Sequence, residues 1–254
     1  MIPRLHHGAP LSEGAVASLT QQQAHYLKNV LRREAGAEIR LFNKHDGEYA
    51  ATISEIDKKS ALAALGKRTL APQDEPDIEL YFAPVKRTAM ELILQKGTEL
   101  GVMRFQPVMT DHTNSERLRI ERMSLIALEA AEQCGRLSIP EISAPVRLPE
   151  ALLKWDTSRP LIYCDEAGDD PGEDWGGRQG RAAPLIEAIQ DEKASRAAIL
   201  IGPEGGFSKD ERAWLRALPY VRPVTLGPRI LRADTAALVA VALWQAAKGD
   251  LTRN

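Results

Sequence analysis

Two short stretches hold the residues best suited to chemistry. The first, Ala197-Ala198-Ile199-Leu200-Ile201-Gly202-Pro203-Glu204-Gly205-Gly206-Phe207-Ser208, is an apolar run that passes straight into a glycine-rich turn. Glycines let backbone N–H and C=O groups approach a ligand closely, and the carboxyl end of a buried strand is where open α/β sheets bind ligands. The chain has no GxxxxGK(S/T), no GxGxxG in a strand-to-helix turn and no GxSxG, which argues against a P-loop kinase, a nicotinamide oxidoreductase and a serine hydrolase. A ligand loop and a plain tight turn both satisfy the spacing. The second stretch, Leu226-Gly227-Pro228-Arg229-Ile230-Leu231-Arg232-Ala233-Asp234-Thr235-Ala236, again runs from a strand through a glycine turn into a helix. Its two arginines and one carboxylate make either a polar mouth beside a backbone-lined pocket or an N-cap with neighbouring surface ion pairs.

Both stretches need strands and helices to hold them, and the hydrophobic pattern supplies these in two styles. In residues 1–72, Thr20 and Gln23 form a capping box for a helix whose apolar stripe is Leu27, Val30 and Leu31. Strand-like runs follow at 38–43, 48–56 and 60–65, punctuated by Asp46-Gly47 and Asp57-Lys58-Lys59, which predicts a small β-barrel. Ala71–Asp77, with two prolines, reads as a linker. From residue 78 onward strands alternate with helices. Apolar runs at 78–83, 105–109, 161–164, 197–201 and 221–226 are too short for helices and suit buried parallel strands.

Met90, Ile93, Leu94, Gly97 and Leu100 share one face of a helix ended by Gly101, and residues 119–134 form the next. Ser208 and Glu211 make a second capping box. Residues 234–248 are apolar on nearly every side, which implies burial against the sheet and against another subunit. The expected architecture is α/β, with a domain over 73–254 following a β-rich one over 1–72.

Composition agrees with a globular protein of 254 residues, 44% hydrophobic and 27% charged, with a net charge of −2. The longest uncharged stretch, Thr235–Ala247, is shorter than the ~20 residues a membrane helix needs, and no basic segment followed by an apolar run opens the chain, so a cytoplasmic location is expected. Cys134 and Cys164 stand outside any zinc spacing and read as buried free thiols; no metal site is expected. Charge is uneven: +3 over 1–72, −3 over 73–163, −7 over 164–192 and +5 over 193–254. The acidic stretch 165–180 reads as a solvated loop. The basic ends suit a nucleic-acid surface or scattered solvated charge equally.

Eight segments in order resemble one family. They are Pro3-Arg4; His25-Tyr26-Leu27 with Val30-Leu31-Arg32; Asp46-Gly47-Glu48-Tyr49; Pro84-Val85-Lys86-Arg87; Gln95-Lys96-Gly97-Thr98-Glu99-Leu100-Gly101-Val102; Glu129-Ala130-Ala131-Glu132-Gln133-Cys134-Gly135-Arg136; Ile201 to Phe207; and Leu226 to Arg232. Together they resemble the RsmE-type ribosomal RNA small-subunit uridine-N3 methyltransferases of the SPOUT class. The family often carries Thr-Glu where this chain has Ala233-Asp234, and the acidic 165–180 stretch looks like an insertion.

The resemblance implies a PUA-like RNA-binding β-barrel ahead of a trefoil-knotted methyltransferase domain, working as a homodimer with S-adenosylmethionine. The implied reaction methylates N3 of a specific uridine in 16S ribosomal RNA. Cofactor contacts would fall on Leu200, Ile201, Gly202, Pro203, Glu204, Gly205, Gly206, Leu226, Gly227, Ile230, Leu231 and Ala236. Arg229 or Arg232 would stabilise negative charge on the uracil oxygens, while Glu204 or Asp234 accepts the proton or orients the base. RNA would be anchored by Arg4, His25, Arg32 and Arg33 in the first domain and by Lys86, Arg87, Lys96 and Arg136 in the second. A competing role for Lys96 is pairing with Glu99, and for Arg136 capping the preceding helix. The competing functions are a non-catalytic RNA-binding assembly factor and a SPOUT enzyme acting at another RNA site.

Overall fold

The computed structural model describes residues 2–113, 118–165, 182–190, 192 and 194–251. The chain divides into two compact units, Met1–Asp74 with Ala131–Ile139, and Glu75–Ala130 with Pro140–Asn254. Apart from Asp165, the acidic 165–180 stretch lies outside the described residues.

The first unit contains β1 (Arg4–His6), β2 (Val16–Leu19), α1 (Gln21–His25), a π-helical turn (Tyr26–Val30), β3 (Glu38–Asn43), β4 (Gly47–Ile56) and β5 (Ala61–Leu70). Its sheet runs β1-β3-β4-β5-β2, with β1 parallel to β3 and the other pairs antiparallel. Register shifts between β4 and β5 give the local bends by which a small sheet wraps a core. Inward residues alternate along β3 and β4, so Ile39, Leu41, Tyr49, Ala51 and Ile53 meet Leu5 and Leu27 in one cluster. The β3–β4 turn needs a glycine: Gly47 has φ +91°, and a β-carbon there would overlap the Leu70 carbonyl.

The capping box at α1 is present, with Thr20 Oγ1 accepting from Gln23 N–H at 3.2 Å and Gln23 Oε1 accepting from Thr20 N–H at 3.0 Å. The expected stripe beyond it is only partly realised. Leu27 is fully buried, but Val30 is 60% exposed. Leu31 N–H donates to Tyr26 C=O at 2.9 Å, an i→i+5 bond, and this wider turn breaks the 3.6-residue period on which the stripe depends.

The second unit holds β6 (Asp77–Phe82), α2 (Arg87–Glu99), β7 (Arg104–Met109), α3 (Ile120–Cys134, whose residues from Ala131 onward belong to the first unit), β8 (Glu141–Ile142), β9 (Val146–Arg147), α4 (Leu148–Leu152) and β10 (Leu161–Cys164). β11 (Ala183–Pro184), α5 (Leu185–Ala188), β12 (Arg196–Ile201), α6 (Lys209–Ala217), β13 (Val221–Thr225) and α7 (Ala233–Lys248) complete it. The strands pair in the order β11-β13-β10-β12-β6-β7-β8, with β9 against β7, and every pairing is parallel. Alternate residues feed two cores, one on each face. Ile78, Leu80, Phe82, Ile199 and Ile201 join one, and Tyr81, Ala198, Leu200, Leu161 and Tyr163 the other.

α7 packs on α2, α5 and β12. Ala236, Ala237, Ala240, Val241, Trp244 and Gln245 are buried, while Leu238, Val239, Ala242 and Leu243 are only half-buried. Both cysteines are free thiols, and Cys164 is buried as expected, but Cys134 is exposed because it lies on the outer face of the last turn of α3. No helix among the described residues is long and apolar enough to cross a membrane, and no group of three His, Cys, Asp or Glu there can hold a metal ion.

Candidate functional site

The chain leaves β6 for β7 on one side and returns to β12 on the other, so strand order reverses between β6 and β12. A crevice at the carboxyl ends of the strands is expected at such a reversal. The glycine loop 202–208 starts there, directly after β12, and is anchored at its base where Ala83 N–H donates to Ile201 C=O at 2.9 Å. Gly206 N–H donates to Pro203 C=O at 2.9 Å, closing a tight turn that Gly206 completes with φ +69°. Gly202 has no room for a side chain, since a β-carbon would lie 2.6 Å from the Phe207 ring. Phe207 in turn meets the edge of Tyr163 at 5.1 Å. Leu200 and Ile201 are buried with their side chains in opposite cores, which leaves only their backbone groups to serve a ligand.

Behind the loop, α6 is capped by Ser208 and Glu211 as expected. α6 is also tied to the end of β10, where Asp165 accepts from Arg212 at 3.0 Å and from Arg216 at 2.8 Å. Burial, with the Asp165 carboxylate beside it, pushes the Tyr163 phenol well above its ordinary value and keeps it neutral.

The second loop, 226–232, follows β13. Gly227 takes φ +116°, and its N–H donates to Thr225 Oγ1 at 3.3 Å. Ile230 is 89% exposed, an unusual position for a large apolar side chain unless something covers it. The N-cap of α7 is Arg232, in extended backbone, and not Asp234; Asp234 lies in the first turn and accepts from Thr235 N–H at 2.8 Å. The alternative of a local ion-pair cluster does not form. Among the described residues no ion pair engages Arg229, Arg232 or Asp234 here, nor Glu204 on the loop after β12. Ala236 is buried in the core beneath.

The basic residues separate into engaged and open groups. Arg4 bonds Glu48, donates to the carbonyls of Ala131 (2.8 Å), Gly135 (3.1 Å) and Arg136 (2.6 Å), and lies 3.6 Å over the Phe42 ring. Its job is to close the last turn of α3, the competing role named for Arg136, whose Nε–H donates to Ser138 Oγ at 3.0 Å. Lys96 pairs with Glu99 at 2.8 Å and Arg87 with Glu91 at 2.8 Å. His25, Arg32 and Lys86 are exposed. Arg32 is a non-glycine residue at φ +54°, and with Lys28, Arg33, Glu34, Ala35 and Ile56 it lines a cavity of about 310 Å³ in the first unit.

Two residues next to the glycine loop are absent from the residues expected of the site. Asp111 and His112 follow β7, and both touch the segment 205–211. Their position just past the carboxyl end of a parallel strand, and His112 as the one histidine outside residues 1–72, were the available pointers.

Residues 73–245 match the RNA methyltransferase domain family, and residues 19–65 match the RNA methyltransferase PUA domain. The chain is 29% identical to ribosomal RNA small subunit methyltransferase E of Rickettsia conorii, covering 94% of this chain and 93% of that one. It is 30% identical to the Synechocystis protein of the same name, over 90% and 72% respectively. The crystal structure of ribosomal RNA small subunit methyltransferase E from Neisseria gonorrhoeae bound to S-adenosyl methionine superposes with a TM-score of 0.83 at 28% identity, covering 99% of this chain and 100% of that one.

Proposed function

Because the chain belongs to the ribosomal RNA small subunit methyltransferase E family of RNA methyltransferases, we propose that it methylates N3 of a specific uridine in 16S ribosomal RNA, using S-adenosylmethionine. This reading rests on the glycine loop 202–206 at the strand-order reversal, together with Arg229 and Arg232 of 226–232, which follow β13 in the same parallel sheet and make no ion pair among the described residues. When bound, the cofactor supplies an electrophilic methyl on a positively charged sulfonium. The residues fit such a ligand. The loop offers backbone groups with few side chains in the way, Leu226, Ile230 and Leu231 offer apolar surface for an adenine ring, and Glu204 and Asp234 offer negative charge.

The neutral imide nitrogen of uracil has no free lone pair, so its proton leaves as the methyl arrives. Arg229 and Arg232 stabilise the negative charge that develops on the flanking oxygens, and Glu204 or Asp234 accepts the proton or orients the base. The first domain, residues 1–72, holds the RNA through His25, Arg32 and Arg33, and the domain over 73–254 through Lys86, Arg87 and Lys96. Arg4 acts one step back, by fixing the end of α3, and Arg136 is a further proposed RNA contact. A target inside folded RNA must be unstacked to reach the loop. The proposed enzyme is a homodimer with a trefoil knot in its second domain; the half-buried row Leu238, Val239, Ala242 and Leu243 and the exposed Ile230 are the surfaces a second copy would cover. Its substrate places it in the cytoplasm, with the small ribosomal subunit.

Calorimetric titration with S-adenosylmethionine tests the loop. Wild-type protein should bind in the micromolar range, and a Gly205→Trp variant that keeps its fold should not. Folded wild-type protein that fails to bind would remove the reading and favour a non-catalytic RNA-binding role.

A further inference from the structure

We propose that Asp111 and His112 are positioning residues that clasp the glycine loop into its cofactor-binding shape, a role that rests on reading 202–206 as the cofactor loop. The strand order puts β7 and β12 on either side of β6, so a link from the end of β7 to the loop after β12 crosses the crevice itself. The segment 110–113 is built to make that link. Thr113 N–H donates to Thr110 C=O at 3.1 Å, Thr110 N–H donates to Thr113 Oγ1 at 3.0 Å, and the two hydroxyls are 2.8 Å apart. This closed turn presents Asp111 and His112 together.

Asp111 holds the far end of the loop. Ser208 Oγ–H donates to Asp111 Oδ2 at 2.6 Å, and Asp111 N–H donates to Glu211 Oε1 at 2.9 Å. The other Glu211 oxygen accepts from Ser208 N–H at 2.9 Å, so the α6 capping box and the clasp share one carboxylate. His112 holds the glycines. Its Nδ1 is 3.2 Å from Gly205 C=O and 3.2 Å from Gly206 C=O. Carbonyls only accept, so Nδ1 carries the proton and donates to both. The His112 β-carbon also lies 3.4 Å from where a β-carbon on Gly205 would stand, so the side chain rests on the glycine backbone. A loop of two adjacent glycines has many conformations open to it, and the clasp selects one before the ligand arrives.

The Nδ1–H tautomer leaves Nε2 as an acceptor, which raises the rival role of His112 as the group that takes the N3 proton. Asparagine separates the two roles, because its Nδ2–H stands where Nδ1–H stands while nothing replaces Nε2. The test is calorimetric titration of the full-length protein with S-adenosylmethionine, together with steady-state turnover at saturating cofactor, for wild type, His112→Ala, His112→Asn and Asp111→Ala, all checked for unchanged melting. We expect His112→Ala and Asp111→Ala to weaken cofactor binding about five- to tenfold, roughly the loss of one hydrogen bond. His112→Asn should bind within about twofold of wild type, and kcat at saturation should hold within about twofold in all three.

Equal binding by wild type and both alanine variants would overturn the clasp. So would a His112→Asn protein as weak as His112→Ala. Intact cofactor affinity with lost kcat in His112→Asn would move the residue to the reacting atoms and overturn its positioning role. Absence of binding by the wild type would instead overturn the reading of the loop, and the clasp with it.

Discussion

Asp165 at the end of β10 and Arg212 on α6 face each other at 3.0 Å, with only 1% and 8% of their side chains exposed. Arg216 approaches the same carboxylate at 2.8 Å. This buried pairing joins the strand beside β12 to the helix that begins where the glycine loop ends. Removing one member of a buried pair leaves the other charged and poorly solvated. Asp165→Ala should therefore lower stability by about 3 kcal/mol and melting by roughly 6–12 °C. Thermal unfolding followed by circular dichroism checks this; a melting point within a degree or so of wild type would deny the pairing a structural role.

Gly202→Ala tests how tightly the loop is packed. The new β-carbon would lie 2.6 Å from the Phe207 ring, which Tyr163 holds from the other side. Overpacking of this kind costs about 1–3 kcal/mol. Cofactor affinity should fall along with stability, and Phe207→Leu in the same chain should restore part of both. If the double variant binds no better than Gly202→Ala alone, the contact with Phe207 is not the reason for the glycine.

Arg32 sits at φ +54° without being a glycine, on the surface proposed to hold RNA. The left-handed backbone costs roughly 1–2 kcal/mol for a residue with a β-carbon, part of which glycine gives back through its freer unfolded chain. Arg32→Gly should raise stability by up to about 1 kcal/mol while weakening RNA binding. It should also reduce the slope of log K against log salt by about 0.7–0.9, the share of one phosphate contact. Filter binding across a salt series reads this slope, and an unchanged slope would take Arg32 out of the RNA surface.

His6 makes stability in the first unit depend on pH. Partial burial, with His7 beside it, holds the His6 imidazole below its ordinary 6.5. The unfolded chain then binds this proton more readily than the folded one, so the contribution is complete above about pH 6.5 and is lost as pH falls from there through the folded value. Urea midpoints measured across that window should decline in wild type and decline less in His6→Gln. Parallel curves would assign the acid sensitivity to other groups.

What could be read from the chain were its local devices. The capping boxes at Thr20 and Ser208 each act over three residues, and the short apolar runs announce parallel strands because both faces of those strands are covered. Long-range partners left no such trace. Arg4 closes a helix end lying 127–132 residues away, and Asp111 meets Ser208 across 97 residues. The π-helical turn at Tyr26–Val30 was hidden for a different reason, since an i→i+5 bond has no counterpart in a 3.6-residue pattern. The two loops were legible as glycine-rich strand ends, whereas the absence of ion pairs at Arg229 and Arg232 among the described residues emerged only from the fold.

Methyl transfer to uracil N3 is read by incubating the protein with small ribosomal subunits and methyl-labelled S-adenosylmethionine, then digesting the RNA to nucleosides for mass spectrometry. Label should appear in 3-methyluridine, strongly reduced with Arg232→Gln, a variant expected to keep its cofactor affinity. Label on a ribose, or no label from protein that binds the cofactor, would contradict transfer to N3.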